Sequence, residues 1–169
     1  PVILAAGLLK NDKFEWVVQK AVELGANCVV PVKMAHCVVK LNETRRRDKV
    51  ERWQRIAMEA SKQCGRDDVP SVGPVMDLAE LAQTYGEHRF LVPYEEETAP
   101  LHEACHQVLT GGVVICIGPE GGYAPEEIDF LRNHVSWMRT VSLGKRILRA
   151  ETASLAALSI IMYERGICR

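Results

Sequence analysis

The chain has 169 residues, of which 47% are hydrophobic and 25% charged, and its net charge at pH 7 is −1. These values are typical of one soluble globular domain with a full hydrophobic core, so we treat residues 1–169 as a single domain. The near-neutral charge excludes a surface that is basic all over, so an RNA site has to be a local patch.

Cysteine usage and hydropathy predict a cytoplasmic protein. The six cysteines stand singly with no CxxC pair, which is typical of reduced thiols. There is neither a secretory signal nor a run of eighteen apolar residues, so the sequence predicts no membrane association. The chain opens on an apolar strand at residues 1–6 without a start Met, and we expect a further segment upstream.

Hydrophobic periodicity predicts strands that alternate with helices. In chain order these are a strand at 2–6, a helix at 12–24, a strand at 28–32 and a short strand at 37–39. A long helix at 45–63 and a short helix at 77–84 follow, then a strand at 90–93 and a helix at 100–109. The last elements are a strand at 113–117, a helix at 125–133, a strand at 137–143 and a helix at 151–165. Asp12 is placed to cap the first helix and Gly25 to end it.

This alternation indicates an α/β fold, with a parallel sheet and helices on both of its faces. Ligands of such sheets bind beyond the carboxyl ends of the strands, so the loops after residues 92, 117 and 143 should converge on a site. The first strand is not followed by GxGxxG, which disfavours a dinucleotide site.

Two glycine-containing loops carry the most specific signal. Gly-Pro-Glu-Gly-Gly at 118–122 follows the most apolar strand. Ser-Leu-Gly-Lys-Arg-Ile-Leu-Arg-Ala-Glu-Thr-Ala at 142–153 leads three basic residues into an Ala-rich helix. Because glycine has no Cβ, backbone in such loops can approach a ligand closely. The pair predicts a ligand cleft with little side-chain bulk.

Taken with these loops, the segments at 10–25 and 59–66, Pro31, and Val69 with Pro70 make the chain resemble the RsmE family. This family comprises ribosomal RNA uridine-N3 methyltransferases of the SPOUT superfamily. The resemblance runs nearly end to end and includes five motifs in the same order. Two departures are Ala150, where the family usually has Thr, and the stretch at 35–37, where Arg-Ser is more common.

The resemblance implies a C-terminal trefoil knot, which topology rules alone would reject. It further implies S-adenosyl-L-methionine as methyl donor, a homodimer, and small-subunit ribosomal RNA or the 30S particle as substrate. An N-terminal PUA-like RNA-binding barrel is expected in the family and is not part of these 169 residues. The expected activity is methylation of N3 of one uridine.

Arg149 is the predicted catalytic residue, because uridine N3 must lose a proton and a guanidinium favours the anion. No His or Lys stands out as a general base. Glu120 fits equally a contact to the donor and a structural acceptor for loop N–H groups. The candidate donor-binding residues are Leu91, Val92, Ile117, Gly118, Glu120, Gly121, Gly122, Leu143, Gly144, Ile147 and Leu148. The candidate RNA-binding residues are Lys10, Lys13, Lys20, Gln63, Arg66 and Arg146, although each also fits a solvated surface.

Three other interpretations remain open. A SPOUT fold can instead methylate a ribose 2′-hydroxyl, or a chain of this type can be a non-catalytic RNA-binding assembly factor. His-Glu-Ala-Cys-His at 102–106 fits the zinc-protease pattern HExxH, with Glu126 as a third ligand. That short segment lies between two strands of an otherwise explained fold, so we predict no metal site.

Overall fold

The computed structural model describes residues 1–167, and its seven strands form one parallel sheet. The strands are β1 (Val2–Gly7), β2 (Cys28–Lys33), β3 (Ser71–Val72), β4 (Met76–Asp77), β5 (Arg89–Pro93), β6 (Val113–Ile117) and β7 (Trp137–Val141). Their order across the sheet is β3-β2-β1-β6-β5-β7, with β4 also paired to β2. The predicted parallel α/β fold is confirmed.

Six helices accompany the sheet. They are α1 (Lys13–Glu23), α2 (Glu43–Cys64), α3 (Leu78–Tyr85), α4 (Leu101–Cys105), α5 (Pro125–His134) and α6 (Ala150–Glu164). Helix α1 packs against α2 and α6, whereas α3 packs against α5. Every residue of β1 and β6 is buried, as expected for central strands of a parallel sheet that is covered on both faces.

The longer predicted elements occur in the predicted order, but one predicted strand is absent, two short strands were not predicted and several bounds differ. Residues 37–39 form no strand, because Cys37 closes a turn by donating its N–H to the Met34 carbonyl. The two-residue strands β3 and β4 were not predicted. Helix α4 ends at Cys105 rather than 109, and β7 ends at Val141 rather than 143. The Asp12 side chain makes no capping hydrogen bond to α1, which is a further correction.

Left-handed glycines end the first two helices. Gly25 follows α1 with φ 96°, and Gly65 ends α2 with φ 77°. Within residues 1–167, no helix is long and apolar enough to cross a membrane. The five described cysteines are free thiols, and Cys168 lies outside the described residues.

The chain beyond β7 turns back along the sheet edge. The Ser142 N–H donates to the Ala99 carbonyl at 2.7 Å, and the Leu101 N–H donates to the Ser142 carbonyl at 3.1 Å. Helix α6 then crosses to pack against α1, α4, β1 and β6. The loop between β7 and α6 is thereby held beside the ends of the central strands.

Candidate active site

A cleft of about 520 Å³ opens at the carboxyl ends of the strands. Its walls are the segments at 93–96, 117–123 and 142–151, which follow β5, β6 and β7. Lys10, in the loop after β1, and Lys13, the first residue of α1, also line the cleft. The three loops therefore converge as the sequence predicted, at the position where parallel sheets bind ligands.

Glycine is required where the loop after β6 touches its neighbours. A Cβ on Gly121 would lie 2.8 Å from the His36 Cβ and 2.9 Å from the His36 carbonyl oxygen. A Cβ on Gly7, the last residue of β1, would lie 2.6 Å from the Pro119 nitrogen. This role of Gly7 was not predicted, although a glycine at the end of a buried strand is its signal.

Hydrogen bonds tie the loop after β2 to the glycine loop. His36 Nδ1 lies 3.0 Å from the Gly121 carbonyl oxygen. The Ala35 N–H donates to Glu127 Oε2 at 3.0 Å, and the Ala124 N–H donates to Glu127 Oε1 at 2.9 Å. The stretch at 35–37 therefore supports the cleft wall.

The two oxygens of the Glu120 carboxylate have different surroundings. Oε1 accepts the Lys10 N–H at 3.0 Å and lies 3.8 Å from Lys13 Nζ. Oε2 is buried and has no hydrogen-bond partner. One oxygen therefore holds the chain together, and the other is free to accept a hydrogen bond from a ligand.

The loop between β7 and α6 presents unpaired cations to the cleft. Gly144 has φ 116°, and its N–H donates to Ser142 Oγ at 3.1 Å, which makes the turn tight. Lys145, Arg146 and Arg149 are exposed, and none of them forms an ion pair or side-chain hydrogen bond within the described chain. These side chains are free to bind an anion.

Some predicted donor-binding residues do not line the cleft. Leu91 and Val92 are 1% and 0% exposed inside β5, and the next two residues along, Pro93 and Tyr94, form the wall instead. Ile117, Gly118, Glu120, Gly121, Gly122, Leu143, Gly144, Ile147, Leu148 and Arg149 do line it. Ile147 is 83% exposed, which is unusual for a large apolar side chain and makes it available to a ligand.

The predicted RNA-binding residues fall into two groups. Lys10, Lys13 and Arg146 line the cleft. Lys20 pairs with Glu23 at 2.9 Å, and Gln63 is exposed on α2, both outside the cleft lining.

Arg66 also lies outside the cleft lining. Its guanidinium donates to the Val22 and Ala26 carbonyls at 2.9 and 3.0 Å and pairs with Asp68 at 2.7 Å. These bonds give Arg66 a structural role, tying the end of α2 to the end of α1.

No part of residues 1–167 brings together three His, Cys, Asp or Glu side chains that could hold a metal ion. The two histidines of the HExxH pattern lie on α4 and at its end, where His106 is the C-cap residue.

Near the cleft, the Cys37 thiol lies beside a second cavity of about 610 Å³. Burial raises the pKa of the Cys37 thiol, so at neutral pH it remains protonated and is a poor nucleophile.

A parallel α/β sheet with a glycine-lined cleft beyond its strand ends belongs to the class of folds that bind nucleotide-like ligands. Residues 1–162 match the family model of the RNA methyltransferase domain, and the chain belongs to that family. It is 38% identical to ribosomal RNA small subunit methyltransferase E of Bacillus subtilis, over 99% of this chain and 68% of that protein.

Two solved structures are also similar. One is ribosomal RNA small subunit methyltransferase E from Neisseria gonorrhoeae bound to S-adenosyl methionine, with TM-score 0.85 and 32% identity. The other is the putative methyltransferase Lpg2936 from Legionella pneumophila in complex with S-adenosyl methionine, with TM-score 0.87 and 31% identity. The matches cover 95% and 96% of this chain but only 65% of each of those chains.

Proposed function

We propose that this chain is the S-adenosyl-L-methionine-dependent methyltransferase domain of an enzyme that methylates N3 of a uridine in small-subunit ribosomal RNA. The observation that carries the proposal is the cleft, which is lined by the glycine loop and by the unpaired cations Lys145, Arg146 and Arg149. The match to the RNA methyltransferase domain supports the same function. The choice of N3 follows from the likeness to the methyltransferase E relatives.

The residues of the cleft fit the donor. S-adenosyl-L-methionine, when bound, supplies a methyl group activated by a sulfonium. The donor is cationic and carries ribose hydroxyls and an ammonium group, all of which suit a free carboxylate oxygen such as Glu120 Oε2. Leu143, Ile147 and Leu148 offer apolar contacts to an adenine ring, and Gly118 and Gly121 let backbone groups approach its edge.

Arg149 is assigned the catalytic role. Its guanidinium is exposed to the cleft and unpaired, so it can meet the negative charge that develops on the uracil ring as N3 loses its proton. Methyl transfer needs little covalent help, so the other residues act by aligning the donor and the base and by excluding water.

Lys10, Lys13 and Arg146 are assigned to RNA phosphates, because they lie at the cleft rim where the backbone of an entering strand would pass. The chain is close to neutral overall, so this local group has to supply the attraction. Arg66 is left out of the RNA site because its guanidinium is engaged within the chain.

The direct experiment is incubation of small subunits that lack the modification with this chain and the donor, followed by mass spectrometry of the digested nucleosides. The expected product is 3-methyluridine. A ribose 2′-O-methylated nucleoside would support the other methyltransferase chemistry. RNA binding without any methylated nucleoside would support a non-catalytic role.

The trefoil knot and the homodimer are also proposals. The path of the chain after β7, held against residues 99–101 before α6 crosses to β6 and β1, supports the knot. The knot can be tested by adding segments to both termini and joining them covalently while the chain is folded, which closes the chain into a ring. After denaturation, a knotted ring migrates faster in a gel than an unknotted ring of the same length.

The face of α6 that carries exposed Ile160 and Tyr163 supports the homodimer. Sedimentation equilibrium is expected to give twice the mass of the 18.9 kDa chain, and a Tyr163→Glu variant is expected to give the single mass. An unaltered monomer in both samples would refute the dimer.

A further inference from the structure

Two carboxylate oxygens in the cleft are buried and lack a partner. They are Glu120 Oε2 and Glu151 Oε2. A buried carboxylate oxygen with no hydrogen bond lowers the stability of the folded chain. Two such oxygens in one cleft therefore point to a hydrogen-bond partner on a bound ligand. Their surroundings differ, because the Lys10 N–H and the Lys13 ammonium already engage Glu120 through its other oxygen.

Glu151 is the freer of the two. Within residues 1–167, neither of its oxygens has a hydrogen-bond or ion-pair partner. It lies in the first turn of α6, two residues after Arg149, and both residues line the cleft. The start of this helix therefore presents one guanidinium and one uncommitted carboxylate to the same space.

We propose that Glu151 is the general base that accepts the N3 proton of the target uridine, while Arg149 stabilises the anionic ring. This inference rests on the proposed function and names a residue for the step that sequence analysis left without one. A uracil bound in the cleft beside the donor would exclude solvent from its own N3. A protein side chain is then needed to accept the N3 proton.

The chemistry balances without another reactant. The N3–H bond breaks as an O–H bond forms at Glu151 Oε2. The freed N3 electron pair then bonds to the methyl carbon, and the electrons of the carbon–sulfur bond stay on sulfur, which leaves as S-adenosylhomocysteine. The sulfonium charge and the carboxylate charge disappear together, so a neutral 3-methyluridine and a neutral carboxyl group remain.

Glu120 and Tyr94, which also line the cleft, fit less well as the general base. Glu120 already accepts the Lys10 N–H and lies beside the Lys13 ammonium, so its carboxylate is engaged in holding the chain together. His36 is outside the cleft lining, and its Nδ1 lies 3.0 Å from the Gly121 carbonyl oxygen. Burial and the nearby Glu96 raise the pKa of the Tyr94 phenol, so at neutral pH it keeps its proton.

The test compares Glu151→Gln with Glu126→Gln, which alters the equivalent second position of α5 outside the cleft lining. Each variant is titrated with S-adenosyl-L-methionine by calorimetry and assayed on ribosomal RNA whose target is uridine or 5-fluorouridine. Fluorine makes N3 more acidic, so a substrate of this kind depends less on a base.

We expect Glu151→Gln to keep its donor affinity within about twofold and to lose about 100-fold or more in rate on uridine, the usual range for a general base. On 5-fluorouridine it should recover at least about tenfold relative to the wild-type chain, whereas Glu126→Gln should match the wild type throughout. Recovery of the Glu151→Gln rate on 5-fluorouridine distinguishes a general base from a residue that only shapes the cleft.

Three results would overturn the proposal: an unchanged rate in Glu151→Gln, an equal loss on both substrates, or a loss of donor binding. The last would make Glu151 a donor ligand instead. Failure of the proposed function is distinguishable, because then the wild-type chain itself forms no 3-methyluridine.

Discussion

Arg149 combines exposure with a fixed backbone. It is the N-cap residue of α6, with its guanidinium unpaired and its carbonyl bonded to the Ala153 N–H at 2.9 Å. The side chain is therefore presented from a rigid point and remains free to meet a ligand. This residue could be predicted from the basic loop before an Ala-rich helix together with the family resemblance, whereas its lack of a side-chain partner is seen only in the fold.

Arg149→Ala is expected to lower the methylation rate by about 100- to 1,000-fold, the loss found when one charge-stabilising donor is removed. Donor affinity should stay within about threefold, because the expected donor contacts are to Glu120, apolar side chains and backbone rather than to Arg149. Rate assays and calorimetry of the same samples separate the two effects. The matched control is Arg55→Ala, at an exposed position of α2. Full activity in Arg149→Ala would contradict its catalytic role.

Cys116 makes the free energy of unfolding depend on pH in the alkaline range. Burial in the middle of β6 raises the pKa of this thiol from 9.0 to about 12. The folded chain therefore retains a proton that the unfolded chain loses as the pH rises above about 9. The free energy of unfolding should be unaffected by this group below that pH and should fall as the pH rises toward 12.

The Cys116 contribution to that fall is about 1.4 kcal/mol per pH unit, the value for one retained proton. In Cys116→Ala the slope should be smaller by about this amount, although the variant is less stable at pH 7 because it leaves a small cavity. Urea unfolding between pH 7 and 11 measures both slopes, and equal slopes would refute the assignment. Tyr123, whose pKa burial also raises, keeps a residual slope in the variant.

Among the helices and strands, the contact of β1 with the glycine loop fixes the cleft. A Gly7→Ala methyl group would meet the Pro119 nitrogen at 2.6 Å, so the loop has to move. We expect a loss of about 1–3 kcal/mol in unfolding free energy, typical of overpacking, together with weaker donor binding. Gly65→Ala, where nothing lies within 4 Å, should cost stability through its positive φ but leave donor binding unchanged.

The order of the long elements could be predicted because their periodicity is strong. Residues 113–117 are all apolar and all buried in β6, and the spacing of Phe14, Val17, Val18 and Ala21 marks the buried face of α1. Two-residue strands have no periodicity, so β3 and β4 were missed. The apolar residues at 37–39 mimicked a strand because Cys37 packs into the core from a turn.

The position of the cleft could be predicted from the sequence more accurately than the residues that line it. The glycine and basic loops are local signals, whereas the structural role of Arg66 depends on carbonyls some forty residues away in the chain. Leu91 and Val92 were assigned to the donor because apolar residues at a strand end suit a ring. The bounds of β5 place both inside the sheet and give that wall to the two residues that follow.

For the chain as a whole, the proposed activity depends on one claim, that the cleft beyond β6 binds S-adenosyl-L-methionine. Calorimetric titration of the folded chain with the donor, beside a Gly121→Val variant, tests it most directly. We predict saturable binding by the wild type and none by the variant, because the added side chain would collide with His36. A folded wild-type chain that binds no donor, or a variant that binds it equally well, would contradict the account.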